Sequence, residues 1–328
     1  MTDDARRRTS HEMLVNAPAK PVYDLIADVT GWPEIFHPTV YAQQLELTGD
    51  RERIRLWATA NGEVKTWVSG RTLTPQELRV DFRQEVSQHP VESMGGSWII
   101  EDLGEQGCRV VLLHDFTAVG DEPENVAWIE AAIERNSTSE LLGLKTAAEA
   151  MADAEQRTIR FEDSILIDGS AQDVYDFLNE AKLWSERLPH VATVDLREDT
   201  PGLQVLRMET RTKDGSTHTT ESVRVCLPHE KIVYKQLELP ALMSLHTGHW
   251  LLQPEGEQVR ATSRHTVTVK ESKITAILGP DAGLEEARNY LRTALSGNSL
   301  ATLGHAKNYA EERAGRASRS PAGTEAGR

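Results

Sequence analysis

Apolar and polar residues follow two rhythms along this chain. In many short stretches they alternate, the period of a strand with one buried face. In two long stretches apolar residues recur every three to four positions, the period of an amphipathic helix. Together they predict a short strand at 11–16, a helix at 18–28, and a proline-broken, Trp-containing segment at 31–38. A series of strands follows, punctuated by Gly49-Asp50, Asn61-Gly62, Thr74-Pro75 and Gly104. A long helix closes this half at about 124–152, with Val126, Ile129, Ile133, Leu141, Leu144 and Ala148 on its apolar stripe. The same order then returns: strand 159–167, helix 171–179, Trp segment 183–190, and strands separated by Pro201-Gly202, Asp214-Gly215, Pro228 and Gly256. A second long helix at 284–312 ends it. A curved antiparallel sheet around one long helix buries both apolar faces in each half.

The return is a true repeat, with a period of about 150 residues. Leu14, Ala19, Val22, Tyr23, Asp24 and Trp32 recur as Leu166, Ala171, Val174, Tyr175, Asp176 and Trp184. Gly96 and Trp98 recur as Gly248 and Trp250, Arg71 as Arg224, and His114 as His265. Matches over a whole domain length indicate a duplicated domain, at 9–154 and 158–312. Residues 1–8 read as a flexible tail. The Gly-, Ser-, Ala- and Arg-rich residues 313–328 read as disordered.

Composition narrows the function. Over 328 residues, 36 Lys and Arg face 51 Asp and Glu, a net charge of −15. That balance argues against nucleic acid and against anionic membrane surfaces as partners. No apolar run is long enough to cross a bilayer, and the basic start lacks the apolar core of a secretory signal, so the expected location is cytoplasmic. Cys108 and Cys226 stand far apart and suggest neither a disulfide framework nor a metal site. Nucleotide-binding glycine loops, zinc-protease helices and the serine-hydrolase elbow are absent from the sequence.

The densest chemistry lies at Lys65-Thr66-Trp67-Val68-Ser69-Gly70-Arg71. On a strand, Trp67, Ser69 and Arg71 share a face. A flat apolar wall beside a hydroxyl and a guanidinium suits an oxygenated, unsaturated ligand. The same spacing also describes a solvated face with an extended Arg. The second copy keeps Ser222 and Arg224 but has Thr220 where Trp67 stands. Trp57 and Trp67 have no partner in the second copy and are candidates for a cavity wall, whereas Trp98 reads as core. Among histidines, His114 and His265 match on the last strand, and His89 lies in a loop before Met94.

These words in this order resemble the didomain aromatase/cyclases of bacterial type II polyketide synthases. The resemblance runs from about His11 to Glu312. It includes V-Y-D at Val22–Asp24, G-W-P-E-I-F at Gly31–Phe36, W-x-S-x-R at Trp67–Arg71, and the His89–Trp98 stretch. It implies an α+β chain of two tandem helix-grip domains (START/Bet v 1-like), each with a cavity between curved sheet and C-terminal helix. It implies regiospecific aldol closure, C7 to C12, of the first ring of a ketoreduced poly-β-ketone, then dehydration to an aromatic ring. The partners implied are acyl carrier protein and other synthase subunits, with no metal or redox cofactor.

By the same resemblance, Arg71 is the main pocket residue, with Ser69 and Trp67 beside it, and Trp32 and Tyr41 are pocket aromatics. Arg224, Ser222 and His265 would serve dehydration in the second copy, unless that copy is a packing scaffold, and His114 would move protons in the first. Trp57, His89 and Met94 complete the expected lining. The negative net charge opposes steering of an acidic carrier protein, so Arg51, Arg53 and Arg55 are candidates for a local docking patch. The alternative is a START-type carrier of lipid or another small ligand, without turnover.

Overall fold

The computed structural model describes residues 6–60, 63–211 and 217–317. The Asn61-Gly62 and Asp214-Gly215 turns and the end of the C-terminal tail lie outside them. The chain divides into two compact units, Met1–Ala154 and Glu155–Arg328. The first contains β1 (Arg7–Val15), α1 (Ala19–Ala27), α2 (Trp32–Ile35), β2 (Thr39–Thr48), β3 (Arg51–Ala60), β4 (Glu63–Thr74), β5 (Arg79–Val86), β6 (Val91–Asp102), β7 (Cys108–Ala118) and α3 (Pro123–Glu149). After α3 comes α4 (Met151–Arg157). The second contains β8 (Thr158–Ile167), α5 (Ala171–Asn179), α6 (Trp184–Arg187), β9 (Val191–Thr200), β10 (Leu203–Arg211) and β11 (Thr217–Leu227). It continues through β12 (Lys231–Glu238), β13 (Met243–Glu255), β14 (Gln258–Val269), α7 (Ile274–Leu278) and α8 (Leu284–Ala317).

Each unit has one seven-stranded antiparallel sheet. The orders, β1-β7-β6-β5-β4-β3-β2 and β8-β14-β13-β12-β11-β10-β9, are the same topology twice. Consecutive strands are joined by short turns, and only the first strand crosses over to pair with the last. The fold is therefore the tandem helix-grip architecture that the sequence implies. Two details differ. Arg7 and Arg8 belong to β1, where Arg8 faces Asp115, so they are not tail residues. Helix α8 runs to Ala317, past the expected end at Glu312.

The long helices are held by the apolar stripe. Leu141, Leu144 and Ala148 of α3 are buried against β1, β7 and α1, and Leu303, Ala306 and Ala310 of α8 repeat the arrangement. Each fully buried Leu contributes about 2 kcal/mol. Gly143 lets α3 touch the end of α2, because a Cβ there would lie 2.4 Å from the Ile35 carbonyl oxygen.

In the first unit the apolar interior forms two clusters. One contains Trp32, Phe36, Leu56, Trp98 and Leu144, with Trp67 packed against it. The other contains Phe116, Val126, Ile129 and Ile133, with Met94 and Trp128 packed against it. Between them the sheet and α3 stand apart. No helix of the described residues is long and apolar enough to cross a membrane.

Candidate active site

The gap between the two clusters is a cavity of about 130 Å³. Trp32, Leu56, Ala58 and Trp67 wall one side, and Met94, Trp128, Ile129 and Ile133 the other. Into this largely apolar chamber project Lys65, Gln84, Gln88, His89, His114, Asn136, Ser137 and Glu140. A larger cleft of about 400 Å³ opens across the same sheet, touching Arg83, Asp81, Ser97 and Asp115. Its charges are largely spent on one another, with Arg83 bound to Asp115 and Arg79 to Asp81. The smaller cavity is the better chemical candidate, because it joins flat apolar walls to two buried titratable groups, Glu140 and His114, whose charge states are set by desolvation.

Glu140 is the most unusual of these groups. It lies on α3, one turn after Ser137 and one before Leu144, and its carboxyl faces the cavity. Desolvation alone lifts its pKa to about 8, with no cation or donor opposing it. The carboxyl is therefore largely protonated at neutral pH and can donate a proton. His114, on β7, lines the cavity as well, and burial lowers it to about 4, with His11 adding a smaller push. A neutral acid and a neutral imidazole in one apolar chamber form an acid and base pair that does not collapse into an ion pair.

The structure distributes the expected site residues differently from the sequence pattern. Trp32, Trp67, His89, Met94 and His114 line the cavity. Trp67, Ser69 and Arg71 do share the inner face of β4, opposite Leu56, Ile54 and Glu52 of β3. Arg71, however, lies beyond the cavity floor. Its Nη2 donates to the carbonyls of Ile26 and Ala27 at 3.0 and 3.1 Å, capping the end of α1, and its Nη1 is 3.1 Å from Glu52. Its guanidinium lies 5.2 Å from the Trp32 ring centroid, and Trp32 Nε1 also donates to Ile26 O. Burial lowers Arg71 to about 10, opposed by Glu52, so it stays charged at neutral pH. Ser69 is buried between Trp67 and Arg71, away from the lining.

Arg224 repeats this arrangement in the second unit. Its Nη2 donates to Leu178 O at 2.6 Å, it lies over Trp184, and Trp184 Nε1 donates to Phe177 O. The duplicated Arg and Trp thus pin a helix end to the sheet in both units. Arg71 and Arg224 share a strand face with their neighbours yet are covered by a helix end, because a strand face says which side a residue points to, not which layer covers it. Gln204 stands where the first unit has Glu52, and Ser222 is half-buried between Leu206 and Gln236.

Tyr41 and Trp57 also fall outside the cavity. Leu56, Ala58 and Ala60 of β3 face it, so Trp57 faces the opposite side, stacked on Tyr41 at 5.1 Å. Of the arginines expected at a docking patch, Arg53 is bound by Glu85 and Arg55 lies over Trp57, while Arg51 is exposed on β3.

In the second unit the corresponding interior is occupied by polar side chains. Tyr234 replaces Phe82, and His246 replaces Met94. Tyr234 Oη is 2.8 Å from His265 Nδ1, and His246 Nε2 is 3.0 Å from the same nitrogen. His265 Nε2 reaches Ser299 Oγ at 2.8 Å and Ser263 Oγ at 3.0 Å, while His246 Nδ1 meets Gln236 Oε1 at 3.0 Å. Burial pushes His246 to about 3 and His265 to about 4, so both are neutral donors and acceptors within the network. Gly248 makes room for the tyrosine, since a Cβ there would lie 2.6 Å from Tyr234 Oη. Both ring nitrogens of His265 are thus engaged by protein groups.

The sequence pattern missed Glu140, Ser137, Asn136 and Lys65. The signal for Glu140 was present: a carboxylate on the stripe of Ile129, Ile133 and Leu144 violates the apolar face of a helix.

Comparison with known proteins bears on the fold and the family. The family model described as "Polyketide cyclase / dehydrase and lipid transport" matches twice, over residues 6–149 and 158–311. The granaticin polyketide synthase bifunctional cyclase/dehydratase of Streptomyces virginiae is 46% identical, covering 90% of this chain and 97% of that one. The actinorhodin counterpart of Streptomyces coelicolor is 43% identical, over 93% and 98%. The crystal structure of the di-domain ARO/CYC BexL, from the BE-7585A biosynthetic pathway, is 54% identical with a TM-score of 0.83, over 93% of this chain and 99% of that one. The di-domain ARO/CYC StfQ, from the steffimycin pathway, is 36% identical with a TM-score of 0.82, over 94% and 99%. The chain belongs to the polyketide cyclase/dehydrase and lipid-transport family, in its two-domain form.

Proposed function

We propose that this protein closes and dehydrates the first ring of a ketoreduced poly-β-ketone carried by acyl carrier protein, joining C7 to C12, and that both steps occur in the N-terminal cavity. The observation that carries this reading is the placement of Glu140 and His114 between the aromatic walls. An aldol closure needs a base for the α-carbon and an acid for the carbonyl oxygen that becomes a hydroxyl. Dehydration needs the same two roles, with the acid protonating the departing hydroxyl. His114 supplies the base and Glu140 the acid. Trp32, Trp67 and Trp128 hold the chain folded, which selects one carbon pair among several. Gln84, Asn136 and Ser137 offer hydrogen bonds to the remaining carbonyls.

A lipid carrier is the less fitting reading. A chamber built to hold an acyl chain has no use for an unpaired buried carboxyl, which costs stability whenever it ionises. The deciding experiment is reconstitution of a ketosynthase pair, carrier protein and ketoreductase with and without this protein. The expected result is one cyclised, dehydrated product replacing a mixture of spontaneous ones. An unchanged mixture returns the carrier reading.

On this account the C-terminal unit does no chemistry. Tyr234→Phe and His246→Met, which restore the first unit's residues, are expected to leave products and turnover within about twofold of wild type. Each removes hydrogen bonds worth about 1 kcal/mol apiece, which thermal denaturation would register. Loss of the dehydrated product from either variant, with its fold intact, would move dehydration to the second unit.

A further inference from the structure

Among the buried polar atoms of the first unit's described residues that have no hydrogen-bond partner, four stand together: Thr9 Oγ1, His11 Nδ1, His114 Nδ1 and Ser137 Oγ. They belong to one locality. Thr9 faces His114 across the β1–β7 register, and His11 is the next residue of β1 on that face. Ser137 follows Glu134 by about one turn of α3, which packs on both strands. His11 Nε2 meets Glu134 Oε2 at 2.9 Å, and the Glu134 side chain is 73% exposed. The cluster thus reaches from the cavity wall to solvent.

The second unit provides an internal control. The helix positions Leu141, Leu144 and Ala148 match Leu303, Ala306 and Ala310, which aligns Ser137 with Ser299 and Glu134 with Ser296. There Phe161 stands for Thr9 and Asp163 for His11. The Phe161 ring stacks on His265 at 5.0 Å, Ser296 bonds Asp163 at 2.7 Å, and Ser299 bonds His265 at 2.8 Å. The same framework is there filled and satisfied. Among the described residues, the first unit leaves these atoms without partners where the second satisfies the matching positions. An unpaired buried polar atom is costly, and several converging donors and acceptors make a site for ordered water.

We propose that Thr9, His11 and Glu134 form a water-linked proton path between His114 and bulk solvent. This rests on the reading of His114 as the base. His114 Nε2 takes a proton from the α-carbon, whose electron pair stays behind as the enolate. The Nδ1 proton of His114 passes through water to His11 Nδ1, and the His11 Nε2 proton leaves by way of Glu134. One proton exits for each enolate formed, and both imidazoles end neutral in the opposite tautomer. Reverse exchange with water resets them. Glu140 separately supplies the proton for the new or departing hydroxyl, and the carboxylate left behind takes a proton from water before it donates again. His11 and Glu134 touch no substrate; they act through His114.

The test uses the full-length protein in the reconstituted synthase, following turnover, KM for the carrier-bound chain, solvent deuterium isotope effect and thermal midpoint. Thr9→Phe installs the second unit's residue and closes the water site while keeping His11. It is expected to slow turnover about tenfold at unchanged KM and to raise the isotope effect. His11→Ala should show the same loss and recover with added imidazole. His114→Gln is the control. If it turns over like wild type, the underlying reading fails, whatever the path does. If His114→Gln is slow while Thr9→Phe and His11→Ala both keep the wild-type rate and isotope effect, the path is overturned. Slowing of His11→Ala without imidazole rescue, at an unchanged isotope effect, would make the cluster merely structural and overturn it equally.

Discussion

Arg71→Ala lowers the stability of the N-terminal unit by about 3–5 kcal/mol, because it strands a buried carboxylate and uncaps a helix at once. Glu52 is 3% exposed and its closest cation is Arg71. The carbonyls of Ile26 and Ala27, at the negative end of α1, lose their donor in the same stroke. Glu52→Gln is milder, at about 1–2 kcal/mol, since Gln204 holds that place in the second unit beside an equally buried arginine. Urea denaturation of the two variants measures the difference. Products of Arg71→Ala should drift toward spontaneous cyclisation as well, because Trp32 loses the cation that positions it as a cavity wall. Wild-type stability in Arg71→Ala would show that the pin is unimportant.

Glu140→Gln has the opposite signature: a more stable protein that works badly. In the folded protein the carboxyl keeps its proton up to about pH 8, whereas in the unfolded chain it ionises near its ordinary value of 4.5. Between those values the native state binds more protons than the unfolded state, so stability falls as pH rises through the window. Glutamine removes that slope. It is expected to raise stability at pH 7 by about 3 kcal/mol, and to leave it unchanged near pH 4. Activity should fall about 10²- to 10⁴-fold, the range lost with a positioned general acid. The wild-type rate should also decline as pH rises through about 8, where the acid form is depleted. A stable variant with wild-type turnover would remove Glu140 from the chemistry. Stability gained at the expense of activity is the expected mark of a functional group held in an unfavourable place.

The architecture was legible because duplication wrote it twice. Alternation, turn residues and two long amphipathic helices place the strands and helices, and the recurring Val-Tyr-Asp and Trp positions divide the chain. Strand parity also put Trp67, Ser69 and Arg71 on the inner face correctly. Parity is blind to depth along that face. From Lys65 to Arg71, β4 runs from the cavity to its floor, so Lys65 and Trp67 reach the cavity while Arg71 meets the end of α1. Trp57 and Tyr41 lie on the far face for a related reason: there they stack on each other, Trp57 buried and Tyr41 half-buried, and an aromatic pair of this kind reads in sequence like a cavity wall. Glu140 belongs to none of the sequence motifs, although a carboxyl on an apolar helix stripe is itself a signal. The filled interior of the second unit depends on Ser299 and His265, which are distant in sequence and meet only when α8 lies on β14.

The central claim is that chemistry occurs in the N-terminal cavity and nowhere else. Ala132 lines that cavity from α3, clear of Arg71, Glu140 and His114 in sequence. Ala132→Trp fills the chamber from one wall. The decisive measurement is the product profile of this variant in the reconstituted synthase, with its thermal midpoint recorded beside it. The account predicts loss of the cyclised, dehydrated product and return of the spontaneous mixture, from a protein that still folds. A folded Ala132→Trp that yields the wild-type product at the wild-type rate would contradict it.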